Sequence, residues 1–261
     1  MIDFAFLDSG TGGLPYLLRL KEMESSAECI YVGDTANFPY GTKSHEEIVS
    51  CVLSICDRII NNFHPRAIVI ACNTMSVNAL DEVRLAHPEI QFIGTVPAIK
   101  LASSVSQKRR IGLLATVATV QSEYTKRLKE SFADDCTLVL REDTELINFI
   151  EHESFTATEE ECEAACEPAA QFFRKEDCDA VILGCTHFLN IADTIQKVFG
   201  SDIKVIDSRD GVARRALDVC HISKDEKKEY NPAIRLYVTG DSENVEYKAI
   251  SEKYGIQINS F

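Results

Sequence analysis

The sequence predicts an α/β protein of two similar lobes, each a parallel β-sheet flanked by helices, pseudo-symmetric about a central cleft. Three observations carry that expectation. Short apolar runs alternate strictly with stretches of helical period, which is the pattern of βα units whose parallel sheets are covered on both faces. A faint internal repeat relates one half of the chain to the other. The small polar residues that end the strands recur at nearly the same interval, so two sets of strand-end loops are expected to converge on one cleft.

The elements follow in order. Apolar runs at Phe4–Leu7, Cys29–Val32, Ala67–Ala71 and Gln91–Ile93 read as strands, as do Ile111–Ala115, Thr137–Leu140, Ala180–Leu183, Lys204–Ile206 and Ile234–Val238. Each is too short for a helix and rich in residues that fit a pleated surface. Between them, Leu14–Met23, Glu46–Asn62, Ser76–Ala86, Val120–Phe132, Glu159–Lys175, Ile191–Phe199 and Gly211–Val219 carry the spacing of amphipathic helices. The charged stretch Ser223–Tyr230 reads as a solvated connection before a last strand and helix.

The repeat is clearest around two cysteines. Ala67-Ile-Val-Ile-Ala-Cys72-Asn-Thr74 resembles Ala180-Val-Ile-Leu-Gly-Cys185-Thr-His187, 113 residues further on. Leu7-Asp8-Ser9-Gly10 is echoed by Leu114-Ala115-Thr116-Val117 at 107 residues, and Gly33-Asp34-Thr35 by Glu142-Asp143-Thr144 at 109. One such pair could reflect the general taste of βα loops for small polar residues. Three pairs nearly in register argue for two similarly wound lobes.

Composition narrows the function. The 261 residues carry 27 Lys and Arg against 41 Asp and Glu, a net charge of −14, and 45% are hydrophobic. So acidic a balance argues against nucleic-acid partners, which need a Lys/Arg footprint. No apolar run approaches the roughly 18–20 residues of a membrane helix, and no signal peptide is evident. Ten cysteines without an export signal point to reduced thiols in a cytoplasmic protein.

Cys72 and Cys185 are the candidates for chemistry. Both stand where strands end, the place where open α/β sheets bind ligands, and both are expected to precede a helix whose N-terminus favours a thiolate. Most of the other eight cysteines read as small buried hydrophobes. Two thiols in equivalent loops suit inversion of a stereocentre through a planar carbanion, with a base on one face and an acid on the other. Asp8 is placed to poise Cys72, and His187 to poise Cys185. A single-cysteine hydrolase would leave one of the twin thiols unexplained. Cys162, Cys166 and Cys178 lack the paired CxxC or HxxxH spacing of a metal site, so no metal is expected.

The loops around these residues suit a small anionic substrate. Asp8-Ser-Gly-Thr-Gly-Gly13 follows a strand and opens a helix, but Pro15 stands where a dinucleotide loop needs its third glycine. Gly41-Thr-Lys-Ser44 lacks the glycine that precedes a P-loop lysine. Ser9 and the exposed N–H groups of its loop, Asn73-Thr74 and Thr186 would cradle a carboxylate, and Tyr40-Gly41 offers a hydroxyl and a close-approach backbone.

These residues resemble a known family. Asp8-Ser-Gly-Thr-Gly-Gly13, Tyr31-Val-Gly-Asp34, Pro39-Tyr-Gly-Thr-Lys-Ser44, Ala71-Cys-Asn-Thr74, Gly94-Thr-Val-Pro97, Leu183-Gly-Cys-Thr-His187 and Tyr237-Val-Thr-Gly-Asp241 are similar, in order, to the motifs of the cofactor-independent glutamate racemases of the aspartate/glutamate racemase superfamily. The resemblance covers essentially the whole chain. It implies interconversion of L- and D-glutamate by two cysteine bases, with neither pyridoxal phosphate nor metal, supplying D-glutamate for peptidoglycan. By match, Cys72 and Cys185 would be the proton carriers. Asp8, Ser9, Tyr40, Gly41, Asn73, Thr74, Thr186 and His187 would line the substrate, with Asp34, Thr116, Thr119 and Glu151 near the site. The family's last segment returns to the first lobe, which implies a first lobe of residues 1–96 plus 208–261 and a second of 97–207. The substrate is the expected small-molecule partner, and a homodimer stays open, since family members pair in more than one arrangement.

The sequence also departs from the family pattern. Thr11 stands where an aliphatic residue is usual and Met75 where alanine is usual. Leu189 replaces a frequent proline, Arg209 a frequent glycine, and Arg141–Ile150 lacks the prolines that usually precede the acidic residue matched by Glu151. None of these touches a proposed proton carrier. They keep two other readings in view: a superfamily racemase acting on aspartate or a hydantoin, and a non-enzymatic binder of an acidic amino acid.

Overall fold

The structure, a computed structural model, describes residues 2–220, 234–241 and 245–261. The chain divides into two compact units. One comprises Met1–Thr95 with Arg209–Phe261, and the other Val96–Ser208.

The first unit holds a six-stranded parallel sheet. Its strands are β1 (Phe4–Asp8), β2 (Cys29–Gly33), β3 (Ala67–Ile70), β4 (Gln91–Gly94), β9 (Arg235–Val238) and β10 (Gln257–Ser260), in the order β10-β9-β2-β1-β3-β4. All residues of β1, β2 and β3 are buried, as continuous apolar runs in a sheet covered on both faces must be. Each Leu or Ile so buried contributes about 1.5–3 kcal/mol of transfer free energy. The covering helices are α1 (Leu14–Met23), α2 (His45–Phe63), α3 (Asn73–Ala86), α10 (Arg209–Val219) and α11 (Val245–Tyr254), with α10 packed on α1 and α3 on α2. A capping box starts α2: Ser44 Oγ accepts from Glu47 N and the Glu47 carboxylate from Ser44 N.

The second unit holds four parallel strands, β5 (Arg110–Ala115), β6 (Thr137–Glu142), β7 (Ala180–Gly184) and β8 (Lys204–Ile206), in the order β6-β5-β7-β8. This repeats the β2-β1-β3-β4 order of the first sheet, so the internal repeat of the sequence corresponds to a repeated winding. Ile111, Leu113 and Ala115 alternate onto one face and pack with Ile99, Ala102, Ala180 and Ile182. Gly112 turns to the other face, where an added Cβ would stand 2.5 Å from the Phe173 ring, so the strand can lie this close to its helix only without a side chain there. The helices are α4 (Ile99–Val105), α5 (Val117–Gln121), α6 (Glu123–Phe132), α7 (Thr144–His152), α8 (Glu159–Lys175) and α9 (Ala192–Phe199).

Several sequence expectations are corrected. The helix expected over Val120–Phe132 is two, because Ser122 leaves helical geometry, ends α5 and caps α6 by accepting from Thr125 N at 3.1 Å. The helix expected from Ser76 starts at Asn73, with Cys72 in the extended N-cap position, and β3 ends at Ile70, one residue short of the expected Ala71. The short helices α4 and α7 and the strand β10 were not anticipated. The expected connection Ser223–Tyr230 lies outside the described residues. Among the described residues, no helix is long and apolar enough to cross a membrane.

Candidate active site

The candidate residues of the first unit follow the carboxyl ends of β1, β2 and β3. Asp8 closes β1 and is fully buried; its Oδ2 accepts from Gly13 N at 2.7 Å and from Tyr31 OH at 3.2 Å. Tyr31 OH also lies 3.0 Å from Gly10 O, so this phenol knits the loop between β1 and α1 to the strand beside it. A Cβ at Gly13 would stand 2.6 Å from Ala71 O, so only glycine allows this loop to press on the residue before Cys72. Ser9, the next residue in the loop that Asp8 opens, brings its Oγ to 3.9 Å from Cys72 Sγ.

Cys72 is buried at the N-cap of α3, a 14-residue helix, where the helix dipole favours a thiolate. Asn73 and Thr74, in the first turn, are buried as well. Among the described residues, neither Asn73 Oδ1 nor Nδ2 has a hydrogen-bond partner. Buried amides are normally satisfied, so a donor and an acceptor held together here suit the polar groups of a small ligand.

Asp34 and Tyr40 are hydrogen-bonded to each other after β2, and Asp34 N donates to Asp8 O at 2.8 Å. Tyr40 OH donates to Asp34 Oδ2 at 2.5 Å, and Asn37 Nδ2 donates to the same oxygen at 2.9 Å. Burial, reinforced by the neighbouring Asp34 charge, pushes the Tyr40 phenol well above its ordinary pKa, so it stays neutral. Its single proton is committed to Asp34, leaving its oxygen as an acceptor. Gly41 follows in a short 3₁₀ turn spanning Tyr40–Thr42 and is partly exposed.

In the second unit, Cys185 follows β7, but the expected helix is replaced by a 3₁₀ turn over Thr186–Ile191, with α9 only beyond it. A side chain stands beside the sulfur instead. Cys185 Sγ lies 3.4 Å from His187 Nδ1, and His187 Nε2 lies 2.9 Å from Glu151 Oε2 on α7. Burial alone would lower the His187 pKa. The Cys185 sulfur and the Glu151 carboxylate outweigh that effect and raise it well above 6.5. Glu151 therefore meets the far side of the imidazole that contacts Cys185.

Thr186 is buried beside Cys185. Thr116 and Thr119 are tied to each other: Thr116 Oγ1 accepts from Thr119 N at 3.2 Å, capping α5, and donates to Thr119 Oγ1 at 3.0 Å. Sequence reasoning missed Tyr31, Asn37 and Asp143, which hold these groups in place. Only Asp143 carried a local signal, an N-cap residue three positions before Leu146, whose N–H it accepts at 3.1 Å. All ten cysteines are free thiols. Among the described residues, no group of three or more His, Cys, Asp or Glu side chains is arranged to hold a metal ion.

Comparison with known proteins identifies the family. Residues 19–216 match the model of the Asp/Glu/Hydantoin racemase family. A glutamate racemase of Treponema pallidum (strain Nichols) is 35% identical over 262 residues, covering 99% of this chain and 96% of the relative. One from Shewanella sp. (strain MR-4) is 35% identical over 87% of this chain and 83% of its own length. Among solved structures, Escherichia coli glutamate racemase in complex with L-glutamate and the activator UDP-MurNAc-Ala superposes with a TM-score of 0.85 at 26% identity, covering 100% of this chain and 98% of that one. The Francisella tularensis glutamate racemase in complex with D-glutamate gives 0.79 at 25% identity, covering 99% and 95%. By sequence, strand order and the extent of these matches, the chain belongs to the Asp/Glu/Hydantoin racemase family.

Proposed function

We propose that the protein interconverts L- and D-glutamate without a cofactor, moving the α-proton between two cysteine side chains. The observation that carries this reading is the pair of buried thiols at corresponding strand ends. Cys72 follows β3 and Cys185 follows β7, in two sheets of the same strand order, and each thiol has its own polar neighbour. The glutamate racemase relatives support glutamate as the substrate.

An α-proton leaves an amino acid with its electron pair remaining on carbon, and the resulting carbanion is planar. Returning the proton from the opposite face inverts the centre, so the reaction needs a thiolate on one side and a thiol on the other. Cys72 would act as base toward one enantiomer and Cys185 toward the other, their roles exchanging with direction. Each thiol has a neighbour suited to the charge that proton transfer creates: the N-terminus of α3 at Cys72, and His187, which meets Glu151, at Cys185. Asn73 with Thr74, Ser9, Tyr40 with Gly41, and Thr186 would hold the carboxylates and the ammonium, with Asp8 fixing the Ser9 loop. Asp34 and the Thr116–Thr119 pair would act as scaffolding for that lining. Because two thiols supply both proton transfers, neither pyridoxal phosphate nor a metal enters the scheme. The product would serve peptidoglycan synthesis in the cytoplasm, where thiols stay reduced.

The test is to incubate the purified protein with L- and then D-glutamate in deuterated water, following the α-proton signal and optical rotation together. Both enantiomers are expected to exchange and rotation to decay to zero. Cys72→Ser and Cys185→Ser should each abolish racemisation. Exchange of aspartate but not glutamate would move the assignment to another substrate of the family, and no exchange of either in reducing buffer would defeat it.

A further inference from the structure

We propose that Thr239, on the loop after β9, is a positioning residue for Tyr40, acting through the buried Asp34 carboxylate. The inference rests on the reading of Tyr40 as part of the substrate lining and adds to it a residue from the far end of the chain.

The C-terminal segment lays β9 beside β2, pairing Val238 with Gly33. Just past that register, the two strand-end loops are joined by four hydrogen bonds. Thr239 N donates to Gly33 O at 3.1 Å, and Gly240 N donates to Thr35 Oγ1 at 2.8 Å. The Thr239 hydroxyl accepts from Ala36 N at 3.0 Å and donates to Asp34 Oδ1 at 2.8 Å. Space is tight as well, since a Cβ at Gly240 would stand 2.9 Å from Thr35 Oγ1.

Proton counting gives this cluster a direction. A hydroxyl has one proton. With Ala36 N–H already pointing at Thr239 Oγ1, that proton goes to Asp34 Oδ1. The Tyr40 proton goes to Oδ2, which Asn37 also occupies. Asp34 is buried and, among the described residues, makes no ion pair; these three donors fix the plane of its carboxylate. That plane in turn fixes where the Tyr40 oxygen presents its lone pairs. Thr239→Val keeps the shape but removes the donor to Oδ1 of the buried Asp34, a cost the carboxylate would relieve by turning away from Tyr40, whereas Ala36 N, on an exposed residue, can turn to water. Thr239→Ser keeps the hydroxyl.

Steady-state kinetics with both glutamate enantiomers test this in T239V, T239S, Y40F and the T239V/Y40F double variant. The expected result is a KM about tenfold higher in T239V, with kcat changed by less than about threefold, the pattern of lost binding with chemistry intact. T239S should return KM to within about twofold of the starting protein, and T239V should add nothing to KM once Tyr40 is already Phe. Additive KM effects in the double variant, or an unchanged KM in T239V, would overturn the proposal. If Y40F itself leaves KM unchanged, the Tyr40 reading has failed and this proposal falls with it. If Y40F raises KM and T239V does not, only the present proposal falls. Should T239V not fold by far-UV circular dichroism, Thr239→Ala, which removes the same hydroxyl and its bond to Asp34, goes through the same cycle under the same criteria.

Discussion

The Cys185 sulfur and the Nδ1 atom of His187 stand 3.4 Å apart, two residues apart in sequence and both buried. A neutral imidazole at that distance can take the proton the thiol gives up, and the imidazolium so formed stabilises the thiolate. Replacing it should therefore slow proton transfer at Cys185. For His187→Asn we expect kcat/KM to fall about 100-fold. Enantiomers have equal free energy in water, so the fall must be the same for L- and D-glutamate. Circular dichroism of each enantiomer over time measures both rates, and an unchanged kcat/KM would remove His187 from the chemistry.

The same pair makes stability depend on pH in a defined direction. The folded protein holds the His187 proton more tightly than the unfolded chain, whose histidine titrates near about 6.5. The stabilisation is complete below that value and is lost as pH rises through the elevated folded-state pKa. Urea unfolding of the wild type and His187→Asn across pH should show a stability gap that is widest in mild acid and narrows as pH rises above neutral. A gap that widens with pH would show that the buried ring is neutral.

Glu151 reaches His187 from the last turn of α7, so the start of that helix matters to its end. Asp143 caps α7 and is itself held by Arg141, whose Nε and Nη2 lie 3.0 and 2.8 Å from Asp143 Oδ2. Asp143→Ala should cost about 1 kcal/mol of stability, the usual worth of an N-cap. It should also lower kcat/KM, while Asp143→Asn, another good cap, should preserve most of both. Urea midpoints with kinetics on the same samples check this. Full activity in the alanine variant would uncouple Glu151 from the helix start.

Gly13 presses against Ala71 with no room for a methyl group. Gly13→Ala should destabilise the first unit by about 1–3 kcal/mol through overpacking. The displaced loop carries Asp8 and Ser9, so activity should fall more steeply than stability. Thermal unfolding and initial rates together decide it, and a variant as stable and active as wild type would show that the loop yields easily.

The ten thiols should differ in reactivity. Burial pushes Cys29 and Cys166 up to about 12 and Cys178 to about 11, so these stay protonated near neutral pH. Brief iodoacetamide treatment followed by peptide mapping should label Cys72 and Cys185 ahead of those three, and D-glutamate should protect both. Prior labelling of Cys166 would contradict this ordering.

What could be read from the sequence was what is local. β1, β3, β5 and β7 were legible because each is an unbroken apolar run, and Cys72 and Cys185 because each ends such a run. The nine-residue α7 was missed because its apolar residues Leu146, Ile147, Phe149 and Ile150 span little more than one turn, too few for a period to show. The split at Ser122 was hidden because a serine cap leaves the surrounding helical period intact. Partnerships such as Tyr31 with Asp8 or Thr239 with Asp34 could not be read at all. They join residues 23 and 205 positions apart, and only the strand order brings those positions together.

The return of β9 to the edge of β2 also sets an order of events during synthesis. The second unit is one continuous stretch, Val96–Ser208, and can complete its sheet while the rest of the chain is still being made. The first unit begins folding earlier but cannot close its sheet until residues past 235 have left the ribosome. Until then β2 is an exposed edge, and Asp34 waits without its Thr239 hydrogen bond. The oldest part of the nascent chain is therefore the last to be finished, and truncation near the C-terminus would be felt at Tyr40, some 200 residues upstream.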